Sequence, residues 1–216
     1  MTARRKPTKV WHFTAIEHLE TLLKHGLLSD NAAQQAGVLT TEVGNLRIKE
    51  ARRRQSVPHS PGGVVADYVP FYFAPRSPMM YSISCGNVPS YRGGTEPLMY
   101  LLSTLERLYE VGPLPLLTDR NASLAYTRYR HFDPADLVAD GFIDWSLMDT
   151  KYWANTPDEP DRRERRMAEA LVHHRVPWEA ITHIATRSQH VADEVLARLG
   201  AEQPSVPVLV RPNWYF

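Results

Sequence analysis

RRMAEALVHH, residues 165–174, is the stretch of sequence on which the fold assignment depends. Its local pattern continues the basic run RRERR as one helix, with Glu169 exposed on the helix surface. Two other strings carry candidate functional side chains, WHFT at residues 11–14 and RRR at residues 52–54. Each has an ordinary structural interpretation, since a lone histidine such as His12 is more often a hydrogen-bonded core residue. The local pattern alone therefore leaves the function of these strings open.

The composition of the 216-residue chain is typical of one folded domain. Hydrophobic residues make up 43% and charged residues 23%, and no Gly/Ser-rich or Pro-rich spacer divides the apolar pattern. The basic first ten residues lack the apolar segment of an export signal, and no apolar run approaches the roughly 18 residues that a membrane span needs. We therefore expect one domain over residues 1–216, located in the cytoplasm, with no membrane partner.

The net charge is only +1, but the basic residues are clustered. The basic residues form three clusters, and acidic residues such as Glu96, Asp136 and Asp140 lie outside them. This distribution permits a basic face that binds nucleic acid, although a solvated surface is the commoner explanation of any single cluster. The clusters comprise Arg4, Arg5, Lys6 and Lys9, then Arg47, Lys49, Arg52, Arg53 and Arg54, and last Arg162, Arg163, Arg165 and Arg166.

Metal and covalent chemistry are both disfavoured. The chain has nine histidines but no HExxH or comparable ligand spacing, so we expect no metal. There is no GxSxG string, and the single cysteine, Cys85, has no local reason to be a thiolate. Rossmann and P-loop folds are disfavoured because neither of their glycine-rich strings occurs.

The first half of the chain predicts a mixture of strands and helices. Residues 10–13 predict a strand that leads into a helix over residues 15–25, which begins at a capping box, TAIE. Residues 45–55 are polar but compatible with a helix. Residues 68–74, YVPFYFA, predict a strand, and Pro70 favours an edge or bulged position because it lacks a ladder donor.

The second half mixes helices and strands without a regular βαβ alternation. Pro97 at a first helical position predicts an amphipathic helix whose leucines face inward as far as Leu108. Residues 118–166 are rich in polar residues and predict long loops, which are often functional. The remaining predicted elements are a strand at 180–186, a helix at 189–199 capped by Ser188, and a strand at 206–210.

Several strings, taken together and in order, resemble the DarT family of bacterial DNA ADP-ribosyltransferases over nearly the full chain. The strings are HFT at 12–14, IKEARRR at 48–54, DYVPFYFAPRSPMMY at 67–81, YRGGTEPLMYL at 91–101, LLTDRNA at 116–122, RRMAEALVHHRVPW at 165–178 and NWYF at 213–216. The resemblance implies an α+β ADP-ribosyltransferase fold, a pair of packed, mainly antiparallel sheets with flanking helices and NAD in the cleft between them. It also implies that Glu169 begins a strand after a substrate-recognising loop, in place of the helix.

The resemblance further implies where NAD binds as co-substrate. His12, Phe13 and Thr14 match the family's NAD-binding strand, and residues 38–55 match a loop and helix that fold over NAD, with Arg52 at the functional arginine. Arg53 and Arg54 are its nearest rivals. Tyr72 and Tyr81 are candidates for the nicotinamide pocket, although a core role is at least as common for a tyrosine. The full set of NAD-binding candidates is His12, Phe13, Thr14, Thr21, Leu28, Ser29, Arg52 and Tyr72.

Glu169 and Arg52 are the catalytic candidates. Cleavage of the nicotinamide–ribose bond develops positive charge on the ribose, and a nearby carboxylate stabilises this charge more in the transition state than in the ground state. Glu169 suits that role and, as an acceptor, can also take a proton from an attacking base nitrogen. The family designates its arginine as proton acceptor. Since a guanidinium stays protonated, we interpret Arg52 as binding the NAD diphosphate and raising the acidity of the target base.

The family's acceptor is a nucleobase in single-stranded DNA, thymidine in the branch that this chain resembles most and guanosine in another. Met167 stands where some relatives carry a glutamine, which affects acceptor geometry more than NAD cleavage. An RNA or protein acceptor is the nearest alternative, and a nucleic-acid-binding module without NAD chemistry is an alternative of a different class. The implied partner is DarG, a macrodomain antitoxin that removes the modification. Because arginines bind phosphates and aromatic rings stack on bases, the candidate DNA contacts are Arg54, Arg76, Tyr81, Arg92, Arg120, Tyr126 and Arg128.

Overall fold

The computed structural model of the chain describes residues 7–135, 141–200 and 206–216. The basic residues Arg4, Arg5 and Lys6 and the acidic residues Asp136 and Asp140 lie outside the described residues. The strands are β1 Lys9–Ala15, β2 Leu27–Leu28, β3 Tyr68–Tyr72, β4 Leu98–Thr104, β5 Leu116–Thr118, β6 Tyr129–His131, β7 Glu169–His173, β8 Arg175–Val176, β9 His183–Thr186 and β10 Val208–Val210. The α-helices are α1 Leu19–His25, α2 Asp30–Gln35, α3 Leu46–Arg54, α4 Pro78–Ser84, α5 Leu105–Val111, α6 Trp145–Asp149, α7 Arg162–Arg165 and α8 Gln189–Leu199.

Eight strands form one sheet in the order β10-β9-β4-β1-β3-β7-β5-β6, and β2 pairs with β8 separately. The pairs are antiparallel except for β9 with β10. The two halves of the large sheet meet at β1 and β3, where the described pairing is confined to Trp11 opposite Tyr72. The sheet is therefore almost divided at its centre. The two sheets that the sequence analysis expects are the two halves of this sheet, joined by the single residue pair Trp11–Tyr72.

Strand β4 replaces the helix that the sequence predicts after Pro97, and that prediction is wrong over residues 98–104. Alternate residues of β4 enter different cores, with Tyr100 in one apolar cluster and Leu101 in the other. A strand buried on both faces has a continuous apolar sequence, which also fits helical spacing. The predicted inward packing of Leu105 and Leu108 is confirmed, because both are buried in α5.

Strand β3 lies inside the sheet, so the prediction of an edge position for Pro70 is wrong. The carbonyl of Pro70 accepts a hydrogen bond from His12 Nδ1 at 2.8 Å. Because the N and O of one strand residue point to the same side, the missing N–H of Pro70 also faces β1. Pro70 therefore lies at the gap between the two halves, where the β1–β3 ladder needs no donor from it.

The entry into α1 differs from the predicted capping box. Residues Ile16–His18 form a 3-10 turn, and no side-chain cap bond is present at its N-cap, Ala15. Thr14 Oγ1 instead lies 2.7 Å from His18 Nδ1. The C-terminal end of α1 is Gly26, with φ of 75°, and a Cβ there would lie 2.6 Å from the carbonyl oxygen of Val176, so only glycine fits.

Strand β7 confirms that Glu169 begins a strand, and the local prediction of a helix over residues 165–174 is wrong. The helix α7 ends at Arg165, and β7 is hydrogen-bonded on both sides, to β3 and to β5. Residues 168–172 are all buried, so the apolar residues among them belong to the interior of the sheet and not to one face of a surface helix. The predicted helices at 45–55 and 189–199 are confirmed, with caps from Asn45 and Ser188.

Candidate active site

Glu169 stands at the first position of β7, opposite Tyr72 of β3. Its backbone N–H donates to Thr118 Oγ1 at 3.0 Å, and its Oε2 accepts the N–H of Ala122 at 3.0 Å. The side chain is only 3% exposed. Three features fix the carboxylate in one position: its place at the start of the strand, the hydrogen bond to Thr118 and the hydrogen bond from the Ala122 amide.

Arg52 is the ion-pair partner of Glu169. Its Nη1 donates to both carboxylate oxygens, at 2.9 Å and 3.1 Å, and its side chain is 14% exposed. Arg52 Nη2 is also buried and, among the residues that the structure describes, has no hydrogen-bond partner. One guanidinium nitrogen therefore holds Glu169, and the other remains for a ligand.

The other basic residues of α3 hold the helix over the cavity or face outward. Lys49 contacts both Asp30 and Glu42, and Arg53 Nη2 lies 2.6 Å from Asp30. Arg54 pairs with Glu50 and is 78% exposed. Of the three adjacent arginines, Arg52 is the one that lines the cavity.

Strand β1 contributes His12, Phe13 and Thr14 to the lining of the same cavity. A carbonyl can only accept a hydrogen bond, so the contact with Pro70 places the proton of His12 on Nδ1 and leaves Nε2 as an acceptor. Burial lowers the pKa of His12 to about 4, against the opposing effect of the Pro70 carbonyl and with smaller contributions from His18 and Arg52. The ring is therefore neutral at pH 7.

The cavity brings together most of the NAD-binding candidates. His12, Phe13, Thr14, Thr21, Leu28, Arg52, Tyr72 and Glu169 all line it. Ser29 is missing from the described lining, because it is buried and its hydroxyl accepts the N–H of Ala32 as the cap of α2. Burial, and then the charge of Glu169, raise the pKa of Tyr72, so its phenol stays protonated beside the carboxylate.

The floor beside Glu169 contains Asn121 and Met167. Asn121 Nδ2 lies 3.8 Å from Met167 Sδ. Met167, the departure from the family pattern, is thus placed where a substrate next to Glu169 would contact it.

Three of the candidate DNA-contacting residues form one cluster beyond this floor. The guanidinium of Arg120 lies 5.3 Å from the ring centroid of Tyr126, and Tyr126, which is 58% exposed, donates to Glu164 at 2.7 Å. Arg128 pairs with Asp119 at 2.9 Å and is 66% exposed. These three side chains are called the Arg120–Tyr126–Arg128 cluster; Arg120 directly precedes the cavity residue Asn121 in sequence.

The remaining candidates lie elsewhere. Arg76 Nη1 donates to the carbonyl of Tyr215 at 2.6 Å, and its guanidinium lies 3.9 Å from the ring centroid of Phe216, so Arg76 anchors the C-terminal residues. Tyr81 is exposed on α4 and packs edge-on against Trp153 and Phe216. Arg92 is exposed and donates to the carbonyl of Gly86 at 3.3 Å. Tyr81 is outside the described cavity lining, unlike Tyr72.

The basic cluster at residues 162–166 does not form a basic face. Arg166 is only 4% exposed and donates to the carbonyls of Leu147, Met148 and Pro75. Arg165 pairs with Glu159, Asp161 and Asp144, and Arg162 pairs with Glu159. These arginines hold the segment that precedes Glu169, which a sequence count of basic residues does not reveal.

Sequence analysis missed His18 and Asn121 in the cavity lining, whereas Thr41, Glu42 and Lys49 fall within the segment 38–55 that the family resemblance placed over NAD. His18 lies four residues after Thr14, and their side chains meet. That spacing is the one signal in the sequence that could have indicated it. Across the described ranges, no helix is long and apolar enough to cross a membrane.

Comparison with known proteins identifies this arrangement. A family model described as "ssDNA thymidine ADP-ribosyltransferase, DarT" matches residues 11–216. A DNA ADP-ribosyl transferase of Thermus sp. (strain 2.9) is 38% identical over 215 residues, which are 98% of this chain and 97% of that protein. The structure of Thermus sp. 2.9 DarT in complex with ADP-ribosylated ssDNA matches with a TM-score of 0.87 at 36% identity, covering 98% of both chains. Its complex with NAD+ matches with a TM-score of 0.84 at 34% identity, covering 99% of this chain and 100% of that chain.

The fold and the site therefore define an ADP-ribosyltransferase, an enzyme that uses NAD, and the predicted α+β fold class is confirmed. A non-enzymatic binding module is thereby set aside. Within this class, the chain belongs to the DarT family of single-stranded-DNA thymidine ADP-ribosyltransferases.

Proposed function

We propose that this protein, acting as one domain, transfers ADP-ribose from NAD to a thymidine base in single-stranded DNA, with Glu169 as the catalytic carboxylate. The observation that carries the proposal is the Arg52–Glu169 ion pair in a cavity that His12, Phe13 and Thr14 of β1 also line. Family membership supplies the substrate class, and the geometry supplies the residues.

The residues present fit NAD as co-substrate. The buried Nη2 of Arg52 is without a partner in the described part of the chain, and a charge-assisted hydrogen bond to a phosphate oxygen would satisfy it. Neutral His12 offers an acceptor nitrogen on the same wall as Thr14. These features support His12, Phe13, Thr14, Thr21, Leu28 and Tyr72 as NAD-binding positions, with Ser29 acting through the position of α2.

NAD supplies an electrophilic ribose carbon as its bond to nicotinamide breaks. The carboxylate of Glu169 is held before substrate arrives by Arg52 Nη1 and the Ala122 amide, so it stabilises the developing positive charge without first reorganising. As a base nitrogen bonds to the ribose carbon, the same carboxylate accepts the proton that this nitrogen loses. Arg52 thus orients Glu169 as well as offering Nη2 to the diphosphate.

The acceptor strand is expected to cross the floor at Asn121 and Met167 and to continue over the Arg120–Tyr126–Arg128 cluster. The exposed ring of Tyr126 provides a surface on which a base can stack, and the guanidinium of Arg128 can approach a phosphate. A base modified in this way no longer pairs normally, so unrestrained activity would be toxic. We therefore propose that the protein is the toxin of a toxin–antitoxin pair in the cytoplasm, with DarG, a macrodomain protein, as its antitoxin.

A comparison of acceptors tests the proposal. The purified protein is incubated with NAD and, separately, with thymidine-containing single-stranded DNA, thymidine-free single-stranded DNA, duplex DNA, RNA or a protein extract. We expect the mass of ADP-ribose to be added to the first acceptor alone, and Glu169→Ala to abolish the addition. Modification confined to RNA or protein would overturn the acceptor assignment, and a lack of nicotinamide release with every acceptor would overturn the chemistry.

A further inference from the structure

His18 connects the β1 wall of the cavity to the segment that links α2 to α3. Its Nδ1 lies 2.7 Å from Thr14 Oγ1, and its Nε2 accepts the backbone N–H of Thr41 at 3.2 Å. All three residues line the cavity. The catalytic scheme above uses Thr14 but does not use His18 or Thr41.

The two contacts determine the tautomer of His18. A backbone amide can only donate, so the Nε2 that faces Thr41 carries no proton, and the single proton of the neutral ring is on Nδ1. The Nδ1–H then donates to Thr14 Oγ1. The hydroxyl of Thr14 accepts this bond and leaves its own hydrogen to be donated to a ligand in the cavity.

We propose that His18 is a positioning residue for NAD: its neutral ring presents the Thr14 hydroxyl as a donor and fastens Thr41 over the cavity. The inference rests on the proposed function, because it takes NAD as the ligand of this cavity. It extends that function by assigning ligand binding to a hydrogen-bond chain of two side chains, Thr14 and His18, and the backbone amide of Thr41. The contact between His18 and Thr41 is a single hydrogen bond, which the backbone N–H of Thr41 donates to His18 Nε2.

The charges around His18 determine how this chain responds to pH. Glu17 and Glu42 favour its protonation, Lys49 opposes it, and His12 is a further titratable neighbour. Burial is the largest effect and lowers the pKa of His18 below its ordinary value of 6.5. A proton on Nε2 would face the N–H of Thr41 and remove that bond, so the affinity for NAD should fall as the ring takes up this proton below pH 6.5.

Three substitutions separate the two contacts. His18→Asn places an amide nitrogen near the position of Nδ1 and keeps the donor to Thr14, while it is too short for Thr41. His18→Gln reaches the position of Nε2 and keeps an acceptor for Thr41, and His18→Ala removes both contacts. His190→Ala, at an exposed position of α8, is the matched control.

The measurements are the Kd for NAD by calorimetry and the kcat with saturating NAD and single-stranded DNA. Two hydrogen bonds of ordinary strength correspond to about a thirtyfold change, so we expect His18→Ala to raise the Kd by up to about thirtyfold and to change kcat about twofold or less. Asn and Gln should each recover part of the affinity. The Kd of the wild type should rise once the pH falls below 6.5 and the ring takes up a proton, and that of His18→Gln should rise less.

Nitrogen-15 NMR of the wild type without ligand provides a second measurement that does not depend on the variants folding. An unprotonated Nε2 and a protonated Nδ1 are expected. A proton on Nε2 at neutral pH, or a wild-type Kd that His18→Ala does not alter, would overturn the inference while leaving the proposed function intact. A wild type that binds no NAD would overturn the proposed function itself.

Discussion

Arg52 Nη1 lies 2.9 Å and 3.1 Å from the two carboxylate oxygens of Glu169, although the two residues are 117 positions apart in the sequence. Glu169 comes from β7, an interior strand of the sheet between β3 and β5, whereas Arg52 comes from helix α3, which contributes to the cavity lining. The ion pair therefore couples the position of α3 to the position of the catalytic carboxylate. A ligand that moves α3 must also move the guanidinium that orients Glu169.

Replacing Glu169 with alanine should remove transfer but not NAD binding. A preorganised charge at the reacting centre accounts for about 10²- to 10³-fold in rate, and we expect kcat to fall by at least that factor because Glu169 acts on both the ribose and the attacking base. The Kd for NAD should change by about threefold or less. Rates are measured by nicotinamide release and by the mass of the DNA product. Glu110→Gln, at an exposed position of α5, is the control, and full activity of Glu169→Ala would show that another carboxylate is catalytic.

Removing Arg52 should destabilise the fold through Glu169. Arg52→Ala leaves a buried carboxylate without its cation, which typically costs about 3–5 kcal/mol, so the free energy of unfolding in urea should fall by about 3 kcal/mol. Arg52→Ala/Glu169→Gln should recover part of this loss, because the uncompensated charge is then absent. Arg54→Ala should change the free energy by about 0.5 kcal/mol or less, since Arg54 is 78% exposed. Equal effects of Arg52→Ala and Arg54→Ala would contradict the importance of the ion pair.

His12 should make the fold less stable in acid. The unfolded chain takes up the proton near the ordinary pKa of 6.5, while the folded chain takes it up at about 4. The unfolded state therefore binds more protons between these values, and the contribution of His12 is complete above pH 6.5 and is lost as the pH falls towards 4. It amounts to about 3 kcal/mol.

The comparison of wild type with His12→Asn isolates this contribution, because asparagine can still donate to the Pro70 carbonyl but does not titrate. Free energies of unfolding are measured at pH 7, 5.5 and 4. We expect the wild type to lose more stability than the variant over this range. Parallel curves for the two proteins would refute the assignment to His12.

Arg166 should be required for the order of the segment that precedes Glu169. Its Nη1 donates to the carbonyls of Leu147 and Met148 at 2.6 Å and 2.7 Å, and burial lowers its pKa only to about 10, so it remains charged. Arg166→Met leaves those carbonyls unsatisfied and should lower the free energy of unfolding by about 2–4 kcal/mol. Protease cleavage within residues 141–168 should accelerate. Arg163→Met, at an exposed position of α7, should behave as the wild type, and an equally stable Arg166→Met would contradict the prediction.

Replacement of Tyr126 should weaken the binding of single-stranded DNA and leave the binding of NAD unchanged. Loss of one stacked base typically costs about 1–3 kcal/mol, so Tyr126→Ala should raise the KM for single-stranded DNA at least about fivefold. The Kd for NAD should stay at the wild-type value. Tyr109→Ala, 47% exposed on α5, is the matched aromatic control. An unchanged KM for DNA in Tyr126→Ala would move the acceptor path away from the Arg120–Tyr126–Arg128 cluster.

Features that depend on neighbouring residues could be predicted from the sequence. The cap at Ser188 and the helix that follows it are confirmed because a cap bonds to an amide two or three residues away. Features that depend on burial could not. The leucines at 98, 101, 102, 105 and 108 fit helical spacing as well as a buried strand, and the pairing of β4 with both β1 and β9 decided between them.

The sequence by itself determined that the strings around His12, Arg52 and Glu169 occur together and in order, which was enough to indicate the enzyme class. The resemblance indicated Arg52 among three adjacent arginines, whereas only the tertiary structure decided that its guanidinium pairs with Glu169, that Arg166 is buried, and that His18 reaches Thr41. The physical reason is the separation in sequence over which each interaction acts. Helix caps and strand propensities act over a few residues, whereas the contact between Arg52 and Glu169 exists only after β7 has paired with β3 and β5 and α3 has closed over the cavity.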